Sequence, residues 1–177
     1  KPNYAMTILP ALFLLAAWFI FRKRALDLRM LVWGQAVPAL LSLGFATVLI
    51  YFVPDADKAG LTIAPFAVEQ GFSGYLALKF ILSILFPLGA VLLFFRQALR
   101  DDEMILAWAA FAVATFQLYF LAETGERFFH GNFRWGAQIT LFILFAVTVR
   151  FLFKRSAAAD FPPAKRWILF ILFILHL

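Results

Sequence analysis

Apolar residues follow one another in long runs along this chain, and short polar segments separate the runs. Five runs are long enough to cross a bilayer as helices, since a hydrocarbon core about 30 Å thick needs about 20 mostly apolar helical residues. These runs cover roughly Tyr4–Phe21, Met30–Val53, Gly74–Phe95, Met104–Ala122 and Ala137–Phe153, and a sixth begins at Trp167. The predicted fold is an all-α, polytopic transmembrane helix bundle of about six spans, the last one truncated.

The composition supports this interpretation. Hydrophobic residues make up 64% of the chain, charged residues 15%, and the mean hydropathy is +0.90. Soluble proteins are about 45–50% apolar and about 25% charged, so this chain has too little polar surface to cover a soluble globule. Cysteine is absent, which excludes disulfides and thiolate metal sites. We predict one transmembrane domain over residues 1–177 that contacts membrane lipids and forms a piece of a longer polytopic protein.

The positive charges are unevenly distributed between the two sides of the predicted bundle. Ten cations follow the first, third and fifth spans: Arg22, Lys23, Arg24, Arg29, Arg96, Arg100, Lys154, Arg155, Lys165 and Arg166. Four fall on the other side: Lys1, Lys58, Arg127 and Arg134. Short clusters of cations between apolar runs are typical of cytoplasmic loops, and they argue against nucleic-acid binding. The pattern predicts a protein of the bacterial inner membrane. The N-terminus of this segment and the loops after spans two and four are predicted to lie outside, in the periplasm.

The segment from Glu123 to Gln138 holds the greatest concentration of polar residues. If the helix of the fourth span continues to His130, four side chains share one helical face: Glu123, Glu126, Arg127 and His130. Gly131 would then end that helix with a left-handed residue. Asn132 would follow the turn or cap the next helix.

Three kinds of chemistry fit this segment. Arg127 and Arg134 match the phosphates of a lipid carrier, because a planar guanidinium binds phosphate in bidentate fashion. Glu123, Glu126 and His130 suit acid–base chemistry, and the same three residues could bind a metal, although their spacing is not a standard one. We assign catalysis to Glu126 and His130 and substrate binding to Glu123, Arg127, Asn132 and Arg134, with no metal and no identified cofactor. The structural alternative is that the charged residues form i,i+4 pairs that solvate a helix end.

Three further residues on the predicted outer side are candidates for substrate binding. Asp55 and Asp57 could hold a divalent cation together with a substrate diphosphate, although loop carboxylates are often only solvated. Lys79 lies near the outer end of the third span, where a lysine snorkels, pairs or contacts an anionic substrate.

The opening Lys1-Pro2-Asn3-Tyr4-Ala5-Met6, followed by an apolar span and Arg22-Lys23-Arg24, resembles a segment of bacterial membrane glycosyltransferases of the GT-C superfamily. The resemblance implies sugar transfer from a polyprenyl-phosphate donor on the periplasmic side. It also implies a catalytic aspartate upstream of Lys1. The leading hypothesis is therefore that the chain is part of a membrane enzyme acting on a polyprenyl-phosphate-linked substrate. The alternative is a non-catalytic membrane subunit or transporter component whose polar outer loop docks a membrane protein partner.

Overall fold

The chain folds into a bundle of apolar helices. In a computed structural model, residues 3–22, 29–51, 60–129, 131–157 and 161–176 are described. Three helices in this part of the chain are long and apolar enough to cross a membrane. They are α4 (Leu76–Leu93), α6 (Asp102–Phe120) and α7 (Asn132–Ala157). The all-α fold is confirmed, with three helices that could span a membrane, whereas the count of six spans stays a prediction.

The other helices of the bundle have shorter apolar stretches than these three. Helix α1 covers Asn3–Phe21, a π-helical segment over Met30–Ala36 leads into α2 (Val37–Tyr51), and α8 covers Pro163–His176. The π-helical segment has a local cause, because proline at the second position of α2 has no N–H and its ring would clash with the carbonyl four residues back. The N–H of Val37 instead bonds to the carbonyl of Val32, five residues back.

Helix α6 lies at the centre of the bundle, packed against α1 and α7, and α4 packs against α7 and α8. The core between these helices is built from Phe86, Phe94, Met104, Leu144 and Phe151. Many large apolar side chains on the outside of the helices are exposed, as expected for surfaces that face lipid.

Side-chain contacts give the relative direction of the helices. Thr7, near the start of α1, donates its hydroxyl to the Oε1 of Gln117, near the end of α6, at 2.8 Å. Glu103, at the start of α6, pairs with Arg150, late in α7, at 3.0 Å. Helix α6 is therefore antiparallel to both neighbours. At the start of α8, the Nζ of Lys165 donates to the carbonyl of Leu93, the last residue of α4, at 2.9 Å.

The bundle accordingly has two different ends. We call the end that bears the start of α7 and the end of α6 the loop end. The opposite end, where α4 ends and α6 begins, carries a concentration of cations, and we call it the basic end. It includes Arg22, Arg96, Arg100, Lys154 and Lys165.

Two short strands join the segments at the loop end. Strand β1 (Leu61–Ile63) pairs antiparallel with β2 (Leu121–Glu123), and Thr62 lies opposite Ala122. The pairing continues outside the strands, since the N–H of Ala64 bonds to the carbonyl of Phe120 at 2.9 Å. Two further short helices complete the fold: α3 (Ala67–Gln70) at the loop end and α5 (Phe95–Ala98) at the basic end.

The strand pair corrects one prediction from the sequence. The helix of the fourth span does not continue to His130. It ends at Phe120, and Glu123 lies in a strand while Glu126 lies in a 3₁₀ turn over Gly125–Arg127. The backbone leaves the helix because its polar groups bond to a segment about 60 residues earlier, which local helix propensity cannot reveal. Glu123 and Glu126 therefore do not share a helical face.

Candidate functional site

A charged contact between two segments distant in sequence organises the loop end. Glu69, on α3, is buried, and one oxygen of its carboxylate accepts hydrogen bonds from Arg134, in the first turn of α7. The Nη2–Oε1 distance is 2.8 Å and the Nε–Oε1 distance is 3.3 Å. A guanidinium has five N–H donors, so this contact leaves further donors on Arg134.

The ring of Phe72 packs against the same guanidinium. The Arg134 Cζ lies 4.1 Å from the centroid of that ring. Phe72 in turn meets Phe129 edge to face at 6.5 Å, and Gly71 is close enough to Phe129 that a Cβ at position 71 would lie 3.0 Å from the Phe129 ring. The segment before α4 and the segment before α7 are thus packed together around Arg134.

Helix α3 reaches this position through a turn with an unusual backbone. Phe66 has φ of 59°, in the left-handed region that bulky residues rarely adopt. Its N–H bonds to the carbonyl of Tyr119 at 2.6 Å, and its ring packs against Tyr119 and Phe120 with centroids 5.6 and 5.4 Å away. These contacts with the end of α6 hold the strained residue and place Glu69 opposite α7.

A cleft of about 110 Å³ opens beside Arg134, between α4, α6 and α7. Its lining combines aromatic and polar side chains: Phe80, Ser83, Thr115, Tyr119, Arg134 and Gln138. Phe80 and Phe111 stack with centroids 6.3 Å apart, and Tyr119 meets Phe80 edge to face at 6.2 Å. The lining is mostly apolar, with a few convergent polar groups and one cation, and the volume is below the about 300–1,000 Å³ usual for small-molecule sites. The cleft therefore has room for a phosphate group and its immediate neighbours.

The predicted site residues fall into distinct positions around this cleft. Arg134 borders it. Glu123 ends β2 opposite Leu61, and it borders a small crevice that Arg134 also lines. Glu126 is exposed on the 3₁₀ turn that Arg127 ends, and Asn132 begins α7.

Other predicted residues lie away from the cleft or outside the described part of the chain. Lys79 is exposed near the start of α4, on a different side from its neighbour Phe80, which lines the cleft. Asp55, Asp57 and His130 lie outside the described residues. The predicted divalent-cation and acid–base roles of those three residues therefore stay predictions. Gly131 has φ of 61°, as predicted for a left-handed glycine, but it precedes α7 instead of ending α6.

Sequence reasoning missed the partner of Arg134. Glu69 stood in the sequence as an ordinary loop carboxylate, and Tyr119, Thr115 and Ser83 stood as single polar residues within apolar runs. The available signal was that an apolar run places its few polar side chains towards other helices, because lipid cannot satisfy their hydrogen bonds.

No protein-family model matches the chain, and neither a curated protein nor a solved structure matches it.

Proposed function

We propose that this chain is a membrane-embedded domain that binds the phosphate-bearing head of a lipid-linked substrate at its loop end. The reaction class that the sequence resemblance favours is glycosyl transfer from a polyprenyl-phosphate donor. The observation that carries the proposal is the position of Arg134, a cation at the border of an aromatic and polar cleft within an apolar bundle.

The geometry of Arg134 suits a phosphate ligand. Glu69 and Phe72 fix the orientation of the guanidinium, so little side-chain entropy is lost when an anion binds. The Arg134 side chain keeps 34% of its surface exposed, against 11% for Glu69, so the cation is the accessible partner of the pair. Phosphate oxygens would accept from the N–H groups that Glu69 does not use.

The other polar side chains of the cleft suit the part of the substrate head that adjoins the phosphate. Ser83, Thr115, Tyr119 and Gln138 offer hydroxyl and amide groups that exchange hydrogen bonds with a sugar. Tyr119 and Phe80 add aromatic faces against which a sugar ring can pack. In this proposal Glu126 and His130 keep the proton-transfer role, with Glu123, Arg127, Asn132 and Lys79 as further contacts to the substrate and Asp55 and Asp57 as ligands of a diphosphate-bound cation.

The proposal includes an orientation. The basic end faces the cytoplasm and the loop end faces the periplasm of a bacterial inner membrane, in accordance with the excess of cations at the basic end. The chain crosses the membrane about six times, counting α1, the π-helical segment with α2, and α8 as spans. A substrate with a long polyprenyl tail would reach the cleft from the outer leaflet.

Filling the cleft tests this function. Ser83→Leu places a larger apolar side chain in the cleft and removes only a hydrogen bond to the carbonyl of Phe80, three residues earlier. We expect the variant to bind polyprenyl phosphate at least about tenfold more weakly than the wild type. Ser42→Leu, on the exposed side of α2, is the matched control and should bind normally. Equal binding by both variants would exclude the cleft.

The proposed catalytic roles of Glu126 and His130 are tested by measuring sugar transfer with the full-length protein. Glu126→Gln and His130→Ala should each lower the turnover of sugar transfer while leaving polyprenyl-phosphate binding unchanged. Wild-type turnover in both variants would remove these residues from the proposal without affecting the binding site.

A second candidate function rests on a different surface. Ile63 and Tyr75 at the loop end are 77% and 74% exposed, and Phe129 at the same end is 57% exposed. Such an apolar surface suits contact with another membrane protein, as expected for a non-catalytic subunit. Ile63→Glu would then abolish co-purification of that partner, and it would leave polyprenyl-phosphate binding intact.

A further inference from the structure

An apolar groove of about 330 Å³ lies at the basic end, the end of the bundle opposite the proposed substrate cleft. Its walls come from α1, α4 and α6, and include Trp18, Leu88, Val91, Met104, Ile105 and Trp108. Helix α1 packs on α6 and α7, while α4 packs on α7 and α8, so this side of α6 is left partly uncovered. The volume is in the range of about 300–1,000 Å³ found for small-molecule sites.

The groove adjoins a second cavity that is lined by arginines. This cavity, of about 420 Å³, is bordered by Arg22, Arg96 and Arg100, and it shares Trp18 and Leu99 with the apolar groove. All three arginines are exposed, and within the described residues none of them forms an ion pair with a carboxylate. The guanidinium of Arg22 lies 4.6 Å from the centroid of the Trp18 ring. An apolar groove thus opens directly onto three arginines that form no ion pair with a carboxylate of the described residues.

Two tryptophans of the groove have a buried indole N–H donor. The indole Nε1 atoms of Trp18 and Trp108 are both buried and have no hydrogen-bond acceptor among the described residues. A buried donor without an acceptor destabilises a fold. Both indole rings line the groove, and Trp18 lies at its junction with the arginine cavity.

We propose that this paired groove and cavity bind one phospholipid with an anionic headgroup. An acyl chain lies along the apolar groove, and the phosphate and the anionic headgroup are held by Arg22, Arg96 and Arg100. Charge complementarity selects this occupant, because basic pockets between transmembrane helices bind anionic headgroups. The site is separate from the loop end and does not rest on the function proposed for it.

The first test is native mass spectrometry of the full chain in detergent with phosphatidylglycerol or phosphatidylcholine. We expect phosphatidylglycerol to bind at least about tenfold more tightly than phosphatidylcholine. The triple variant Arg22→Gln/Arg96→Gln/Arg100→Gln should remove this preference. The control Lys154→Gln/Arg155→Gln/Arg166→Gln loses the same charge at the same end and should keep it. Equal affinity for the two lipids, or equal loss of preference in both triple variants, would overturn the proposal.

The second test locates the acyl chain and does not depend on the arginine variants. Phosphatidylglycerol with a photoreactive group on its acyl chain should crosslink to Leu88, Val91 and Ile105 in the groove. Leu88→Trp, at a position that is 37% exposed, should fill the groove and suppress this crosslink without unfolding the core. Crosslinks confined to the outer faces of the helices would overturn the proposal. Loss of the groove crosslinks when a membrane protein partner is bound would also overturn it, because that partner would then occupy the groove.

Discussion

One carboxylate oxygen of Glu69 accepts hydrogen bonds from both Nε and Nη2 of Arg134, 65 residues later in the chain. The contact joins α3, which lies between β1 and α4, to the first turn of α7. It therefore fixes the loop end of the bundle and the position of the cation at the cleft. Both partners should stabilise the fold, whereas phosphate binding should depend on the Arg134 guanidinium alone.

The pair should contribute to stability because Glu69 is buried. We expect Glu69→Gln and Arg134→Gln each to lower the free energy of unfolding by about 1–3 kcal/mol, since each leaves a partly buried partner without its charge complement. Glu103→Gln is the matched control. It breaks the pairs of Glu103 with Arg150 and Lys154. These three side chains are 44%, 62% and 50% exposed, respectively, so the change should cost less than about 1 kcal/mol. Denaturant titration in detergent measures all three, and equal costs would contradict the structural role of Glu69.

The contact between α1 and α6 depends on the amide of Gln117. This amide accepts from the Thr7 hydroxyl at 2.8 Å and donates to the carbonyl of Met6 at 2.9 Å. We expect Gln117→Leu to destabilise the bundle by about 1 kcal/mol, the order found for hydrogen bonds between membrane helices. Ser42→Ala, at an exposed position on α2, should have no effect on the midpoint of unfolding. A Gln117→Leu variant as stable as the wild type would show that the amide does not hold these helices together.

The strand register can be tested with a disulfide because the chain has no native cysteine. Ile63 lies opposite Leu121, and the flanking backbone bonds at Ala64 and Thr124 make this a non-hydrogen-bonded pair, with Cα atoms about 4.5 Å apart in a regular ladder. Ile63→Cys/Leu121→Cys should oxidise readily.

The diagonal pair Leu61→Cys/Leu121→Cys provides the control for this register. Its Cα separation is about 7–8 Å in such a ladder, beyond the usual reach of a disulfide. It should oxidise poorly, as measured by mass shift after thiol blocking. Faster oxidation of the diagonal pair would contradict the register.

Single cysteines test the proposed orientation. Gln70 is exposed at the loop end, and Ser156 is exposed near the end of α7, at the basic end. In intact cells, a membrane-impermeant thiol reagent should label Gln70→Cys and leave Ser156→Cys unlabelled until the cells are lysed. The opposite pattern would place the basic end outside and refute the charge-based orientation.

Hydropathy predicted the helices because bilayer thickness imposes a length on every span. The predicted span Gly74–Phe95 became α4 (Leu76–Leu93), and Ala137–Phe153 became the longer α7 (Asn132–Ala157). The span Met104–Ala122 matches α6 (Asp102–Phe120) to within two residues at each end, but the continuation of this helix to His130 was wrong, because Leu121 and Ala122 leave the helix to pair with β1.

The candidate site shows the same limit. The sequence singled out Arg134 as a charge in an apolar chain, and the structure places it at the cleft. Glu69 could not be recognised as its partner, since an ion pair over 65 residues leaves no periodic signal. Lys79 was grouped with the site by its distance along the helix, but a helix turns by about 100° per residue, and Phe80 lines the cleft instead.

The central claim is that Arg134 binds the phosphate of a lipid-linked substrate, and the affinity of two variants for polyprenyl phosphate tests it most directly. Arg134→Gln and Glu69→Gln break the same ion pair, but only the second keeps the guanidinium. We predict that Arg134→Gln binds polyprenyl phosphate at least about tenfold more weakly than the wild type, whereas Glu69→Gln binds it as tightly or more tightly. Equal losses in the two variants, or wild-type affinity in Arg134→Gln, would contradict the claim and leave the pair a structural contact.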